Sequence, residues 1–143
     1  MRRLAMNSTL LFPGRYVQGR QALQTLPDEV ERLGGPAFLL CDEFSASRLG
    51  ETLRVTLSRS NGLASLYTLT GANSESLARH HAGLVRERRA KVLVGVGGGK
   101  VLDAAKAAAE EAACPLIVVP TAVKPVVRLT DPVAAVSASV GLE

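Results

Sequence analysis

The chain has 143 residues, 47% hydrophobic and 21% charged, which is room for one domain with a real core and the composition of a globular protein rather than a disordered one. Aromatic residues are only 3%, with no tryptophan, so the core must be aliphatic and a nucleic-acid surface built on base stacking is disfavoured. The net charge of +4, mostly arginine, suits an anionic small ligand as well as a nucleic acid and does not choose between them.

The N-terminal Met1-Arg2-Arg3-Leu4-Ala5 is basic, but its apolar continuation breaks at Asn7-Ser8-Thr9, so no signal-peptide core forms. No apolar run reaches the roughly 18 residues a membrane span needs, and a cytoplasmic, reducing location is the default expectation. Residues 20–33 place Leu23, Leu26, Val30 and Leu33 at helical spacing, with Pro27 able to start a second helical piece. Ala37-Phe38-Leu39-Leu40-Cys41 is a continuous apolar run that reads as a strand buried on both faces. A helix is expected over 44–58, with Leu49, Leu53 and Leu57 at i, i+4 and i+8. A weaker strand follows over 63–69, then a helix over about 74–89, capped by Asn73 or Ser74. The clearest strand is 91–96 and the clearest helix 100–113, rich in Ala, Lys and Glu. A last buried strand covers 116–119. After Thr121 the pattern loses its helical period and reads as loop plus one possible strand.

This alternation predicts an α/β fold: a single Rossmann-like domain with an open, mostly parallel sheet and helices on both faces. The domain is expected over 1–121, with 122–143 a divergent tail. Right-handed crossovers then put every strand C-terminus on one edge. Cys41 and Cys114 adjoin apolar runs and read as small buried hydrophobes rather than a disulfide. His80 and His81 are adjacent, so on a helix they point about 100° apart and cannot share one ligand face; both read as surface residues. No Cys/His set has metal-ligand spacing.

Asp42, the glycine turn Gly97-Gly98-Gly99 with Lys100, and Thr121 each follow a predicted strand, so topology alone gathers them at the edge where open parallel sheets bind ligands. Three consecutive glycines between a strand and a helix let backbone N–H groups approach an anion, to which the helix adds its positive end. Lys100 at that helix start opposes the dipole unless an anion lies nearby, which favours a phosphate over a bare tight turn. The run is neither a P-loop, since Val101 follows the lysine, nor G-x-G-x-x-G, since Lys100 takes the last glycine's place. Asp42 has two readings, an acceptor for a ribose diol or the N-cap of the following helix. Asp103 reads as a favourable first-turn acid or a substrate contact.

Arg15-Tyr16-Val17-Gln18-Gly19, Cys41-Asp42-Glu43-Phe44, the stretch from Val94 through Gly97-Gly98-Gly99-Lys100 to Asp103 and Lys106, and Val119-Pro120-Thr121 resemble the glycerol dehydrogenases of the iron-containing alcohol dehydrogenase and dehydroquinate synthase-like superfamily. The resemblance covers about residues 12–121. It implies that Gly97, Gly98, Gly99 and Lys100 hold the pyrophosphate of NAD, that Asp42 binds the adenosine ribose, and that Thr121 lies near the adenine and ribose end. In that family a second, helical domain supplies one Asp and two His to a divalent metal, zinc or iron, and these residues contain no counterpart of it. The resemblance therefore implies a cofactor-binding portion with no catalytic or metal-ligating residue of its own and no polyol oxidation in isolation. Thr130-Asp131-Pro132 has two readings, the family's substrate segment displaced by an insertion or a chance match, and Asp131 is given no role. The rival readings are a glycerol-1-phosphate dehydrogenase or dehydroquinate synthase-like fragment, and a non-catalytic nucleotide-binding or interaction module. A homo-oligomer is expected, with the apolar tail at or near the contact.

Overall fold

The computed structural model describes residues 15–18, 22–70, 75–121 and 133–137. In chain order its elements are β1 (Arg15–Gln18), a 3-10 turn (Ala22–Thr25), α1 (Leu26–Arg32), β2 (Ala37–Cys41), α2 (Glu43–Ser58), β3 (Leu63–Thr68), α3 (Glu75–Glu87), β4 (Val92–Gly97), α4 (Gly99–Ala112), β5 (Leu116–Pro120) and β6 (Val133–Ser137). The strands form one sheet in the order β1-β6-β5-β4-β2-β3, and every pair is parallel.

The apolar runs lie where parallel-sheet physics requires. β2 and β4, side by side at the centre with Cys41 opposite Val96, are buried along their whole length, as strands covered on both faces must be. Successive side chains alternate between two cores. Leu39, Cys41, Val94 and Val96 pack with Leu26, Val30, Leu49, Leu53 and Leu57 of α1 and α2. Phe38, Leu40, Leu93 and Val118 pack on the other face with Val85, Ala105 and Ala108 of α3 and α4. The helices therefore cover both faces, and the fold is the α/β, parallel-sheet architecture that the alternation predicts.

Two strands lie beyond the four expected from the apolar runs. β1 coincides with the Arg15-Tyr16-Val17-Gln18 segment and is too short to show a period. β6, the one possible strand of the tail, sits between β5 and β1, so the sheet continues on both sides of residue 121. The 20–33 stretch is divided: a 3-10 turn ends at Thr25 and α1 begins at Leu26, with Pro27 in its first turn, where a missing N–H costs nothing.

The connections fix where a ligand can sit. After β2 the chain runs through α2 to β3, away from β4. After β4 it runs through α4 to β5, away from β2. The chain thus leaves the central β2–β4 pair in opposite directions, with α2 and α4 on opposite faces. The C-terminal ends of these two strands are the topological switch point, where open α/β sheets have their ligand crevice.

Candidate functional site

Asp42 follows β2 directly and is the N-cap of α2: its Oδ1 accepts the N–H of Ser45 at 2.7 Å. Its Oδ2 accepts the N–H of Gly98, at the end of β4, at 3.1 Å. The Asp42 N–H donates to the Val96 carbonyl at 3.3 Å, and the Thr121 N–H donates to the Gly97 carbonyl at 3.1 Å. Ser45 Oγ and Thr121 Oγ1 lie 3.2 Å apart, where either can donate. The ends of β2, β4 and β5 are therefore tied into one closed ring: Asp42 to Ser45, Ser45 to Thr121, Thr121 to Gly97, and Gly98 back to Asp42. Of the residues expected at this edge, Asp42, Gly97, Gly98 and Thr121 meet through direct hydrogen bonds, while Gly99 and Lys100 form the exposed first turn of α4. Of the two readings of Asp42, the structure contains the cap. Its carboxylate oxygens still carry further lone pairs for an outside donor.

The glycines fall into two kinds. A Cβ on Gly95 would lie 2.6 Å from the Ala105 Cβ, so that position is glycine because α4 packs directly on β4. Gly97 has φ +146°, and a Cβ there would overlap Asp42 Oδ2 and come within 2.5 Å of Val101 Cγ1; only glycine suits such a backbone. Around Gly98 and Gly99 nothing among the described residues stands within 4 Å of a Cβ position. Gly98 caps α4 in an extended conformation without a side-chain hydrogen bond, and no acid occupies the first turn. The start of α4 thus presents backbone amides and the helix dipole to an open, Cβ-free space, which is the chemistry of an anion cradle.

Three other expectations meet the structure nearby. Cys41 is buried at the end of β2, and burial together with the Asp42 charge pushes its thiol up to about 12; it is the inert hydrophobe expected. Burial likewise raises Cys114. The reading of both histidines as surface residues holds for His80 but is corrected for His81, which is 1% exposed, with neither ring nitrogen hydrogen-bonded. α3 buries Ala78, His81, Ala82 and Val85, one continuous helical stripe, and the His81 ring packs edge-on against Tyr67 of β3. Burial, and secondarily His80, lowers the His81 pKa. Asp103 is not the first-turn acid expected, because α4 already begins at Gly99 and its first turn carries no acid; it is exposed and lines a cleft of about 470 Å³ between α3 and α4, with Glu75, Glu110 and Glu111. Asp131 and most of the tail lie outside the described residues.

Ser45 escaped sequence reasoning. The local spacing Asp42-x-x-Ser45 signals an N-cap accepting from the third residue of the helix, but the Thr121 partner lies 76 residues away, a distance no local pattern spans.

Among the described residues, no three His, Cys, Asp or Glu groups stand close enough to hold a metal ion, and no helix is long and apolar enough to cross a membrane.

With the edge defined, known proteins give its context. The family model described as iron-containing alcohol dehydrogenase matches residues 13–125, and the chain belongs to that family. It is 38% identical over 117 residues to a glycerol dehydrogenase from Thermotoga maritima, an overlap of 81% of this chain and 31% of that protein. It is 33% identical over 116 residues to a glycerol dehydrogenase from Pseudomonas putida, covering 81% and 32%. The chain thus spans about a third of the length of the curated relatives it matches. The same fold occurs in maleylacetate reductase from Agrobacterium tumefaciens, with a TM-score of 0.74 at 19% identity over 94% of this chain and 43% of that one. It occurs also in a probable glycerol dehydrogenase from Sinorhizobium meliloti, with a TM-score of 0.67 at 21% identity over 87% and 40%.

Proposed function

We propose that this chain is the NAD-binding portion of a glycerol dehydrogenase-like polyol oxidoreductase. The observation that carries the reading is the pair of open glycines, Gly98 and Gly99, at the start of α4. No described residue fills the space a Cβ would take there, and the space lies at the topological switch point beside Asp42 and Thr121. The identity to glycerol dehydrogenases supports the choice of reaction class.

In this reading the first-turn amides of α4 and the side chain of Lys100 hold the pyrophosphate. The remaining lone pairs of Asp42 accept the hydroxyls of the adenosine ribose, and Thr121 presents its hydroxyl at the adenine and ribose end. The bound dinucleotide supplies hydride transfer; the chain supplies its position. The described residues do not fit the metal that the family's name implies, so no step of this reading passes through one. The Asp42 charge would repel a 2′-phosphate, so NAD is preferred over NADP. Copies of the chain associate in the same reading, which predicts a light-scattering mass above that of a single 15.0 kDa chain.

Isothermal calorimetry tests the reading. Saturable NAD or NADH binding is expected, with NADP at least about tenfold weaker, which corresponds to about 1.4 kcal/mol. No heat at millimolar dinucleotide with the chain folded, or tighter NADP than NAD binding, would contradict it.

A further inference from the structure

We propose that Ser45 is a positioning residue of this site, one that sets Thr121 and the glycine turn in place before a dinucleotide arrives; the inference rests on the NAD-binding reading above. Ser45 continues the buried stripe of α2 formed by Leu49, Leu53 and Leu57, four residues apart, and it is itself 0% exposed. Packing alone would put an apolar residue there, because a buried hydroxyl is costly unless hydrogen-bonded. Its hydroxyl has its partner in Thr121 Oγ1, at 3.2 Å. Its amide has its partner in Asp42 Oδ1, at 2.7 Å.

One residue therefore touches both neighbours of the glycine turn. Through its amide it fixes the Asp42 carboxylate, whose second oxygen holds the Gly98 N–H. Through its hydroxyl it fixes the Thr121 side chain, whose own N–H holds the Gly97 carbonyl. Ser45 is too buried to touch a ligand, so it acts through these two. A hydroxyl has one donor and two acceptor sites; with one engaged by Ser45, the Thr121 hydroxyl is held in place and keeps further capacity for a ligand. A ring closed beforehand spares the ligand the ordering of those groups, which is how preorganisation raises affinity.

The test uses the full chain, NADH as the probe, and the variants Ser45→Ala, Thr121→Val, Thr121→Ser and the Ser45→Ala/Thr121→Val double. Losing one such hydrogen bond is expected to weaken NADH binding about tenfold in Ser45→Ala and in Thr121→Val. The double variant binds no more weakly than Thr121→Val, because once the Thr121 hydroxyl is gone the Ser45 hydroxyl has nothing left to position. Thr121→Ser, which keeps the hydroxyl, stays within about twofold of wild type. A second readout needs no ligand: amide exchange at Thr121, whose N–H holds the Gly97 carbonyl, accelerates about tenfold in Ser45→Ala, since the variant keeps the Ser45 amide on Asp42 but loses the hydroxyl that holds the Thr121 side chain.

Ser45→Ala binding NADH as wild type does, single effects that multiply in the double, or unchanged Thr121 exchange each overturn the role of Ser45 alone. A wild-type chain that ignores millimolar NADH overturns the dinucleotide reading, and the role of Ser45 with it. If Ser45→Ala does not fold, the Thr121 pair decides: Thr121→Val binding as tightly as Thr121→Ser overturns the proposal.

Discussion

Gly95 and Gly97 differ from Gly98 and Gly99 in what would meet a side chain, although all four stand in one run of five residues. The first two are demanded from inside, Gly95 by the Ala105 methyl and Gly97 by its left-handed backbone and the Asp42 carboxylate. The second two meet nothing among the described residues. A glycine the fold requires reports packing. A glycine that no described residue crowds, at a helix start on the ligand edge of a parallel sheet, leaves room for a group from outside. The boundary between the two kinds falls between Gly97 and Gly98, where Asp42 anchors the turn.

The largest expected effect tests the inner pair. Gly97→Ala must both relax a positive φ and displace Asp42, and should destabilise the chain by about 3 kcal/mol or more, read as a shifted urea midpoint. A midpoint within error of wild type would show that the turn is not held as described. Gly95→Ala forces α4 off β4 and should cost about 1–3 kcal/mol; a cost below that range would mean the helix can slide at no expense.

His81 sharpens the comparison because its burial leaves both ring nitrogens without a hydrogen bond among the described residues. Its folded-state pKa lies below 6.5. Above about pH 6.5 both folded and unfolded chains hold it neutral, and its contribution to stability is complete. As pH falls below that value the unfolded chain takes up a proton that the folded chain refuses, so stability declines, by at most about 1.4 kcal/mol per pH unit for one proton. His81→Phe should flatten this acid limb of the stability profile between pH 7 and 5; an unchanged limb would show that another group causes it. The smallest effect on stability belongs to the outer glycines. Gly98→Ala and Gly99→Ala should shift the midpoint by no more than about 0.5 kcal/mol while weakening NADH binding about tenfold.

The sequence makes some of this legible and hides the rest for physical reasons. Continuous apolar runs such as Ala37–Cys41 and Val92–Gly97 declare buried parallel strands, and the residue after each such strand is automatically on the ligand edge. That is why Asp42, Gly97 and Thr121 could be placed together without coordinates. Four-residue β1 and the Ala-rich β6 carry too few residues for a period to show; β6 joins the sheet because β5 offers a partner edge, and β1 because β6 then offers another. His81 looked polar enough to face water, yet its place between Ala78 and Val85 on the packed stripe of α3 overrides the residue's preference. The open and the required glycines read alike in sequence, since only the positions of Ala105, Asp42 and Val101 tell them apart.

The central claim is that the start of α4 takes the dinucleotide's pyrophosphate. A two-dimensional NMR titration of the 15.0 kDa chain with NADH, following backbone amides, addresses it most directly. The account predicts saturable shifts largest at Gly98, Gly99 and Lys100, with smaller ones at Asp42 and Thr121. Unmoved amides across that turn at millimolar NADH, or saturable shifts confined to another surface, would contradict it.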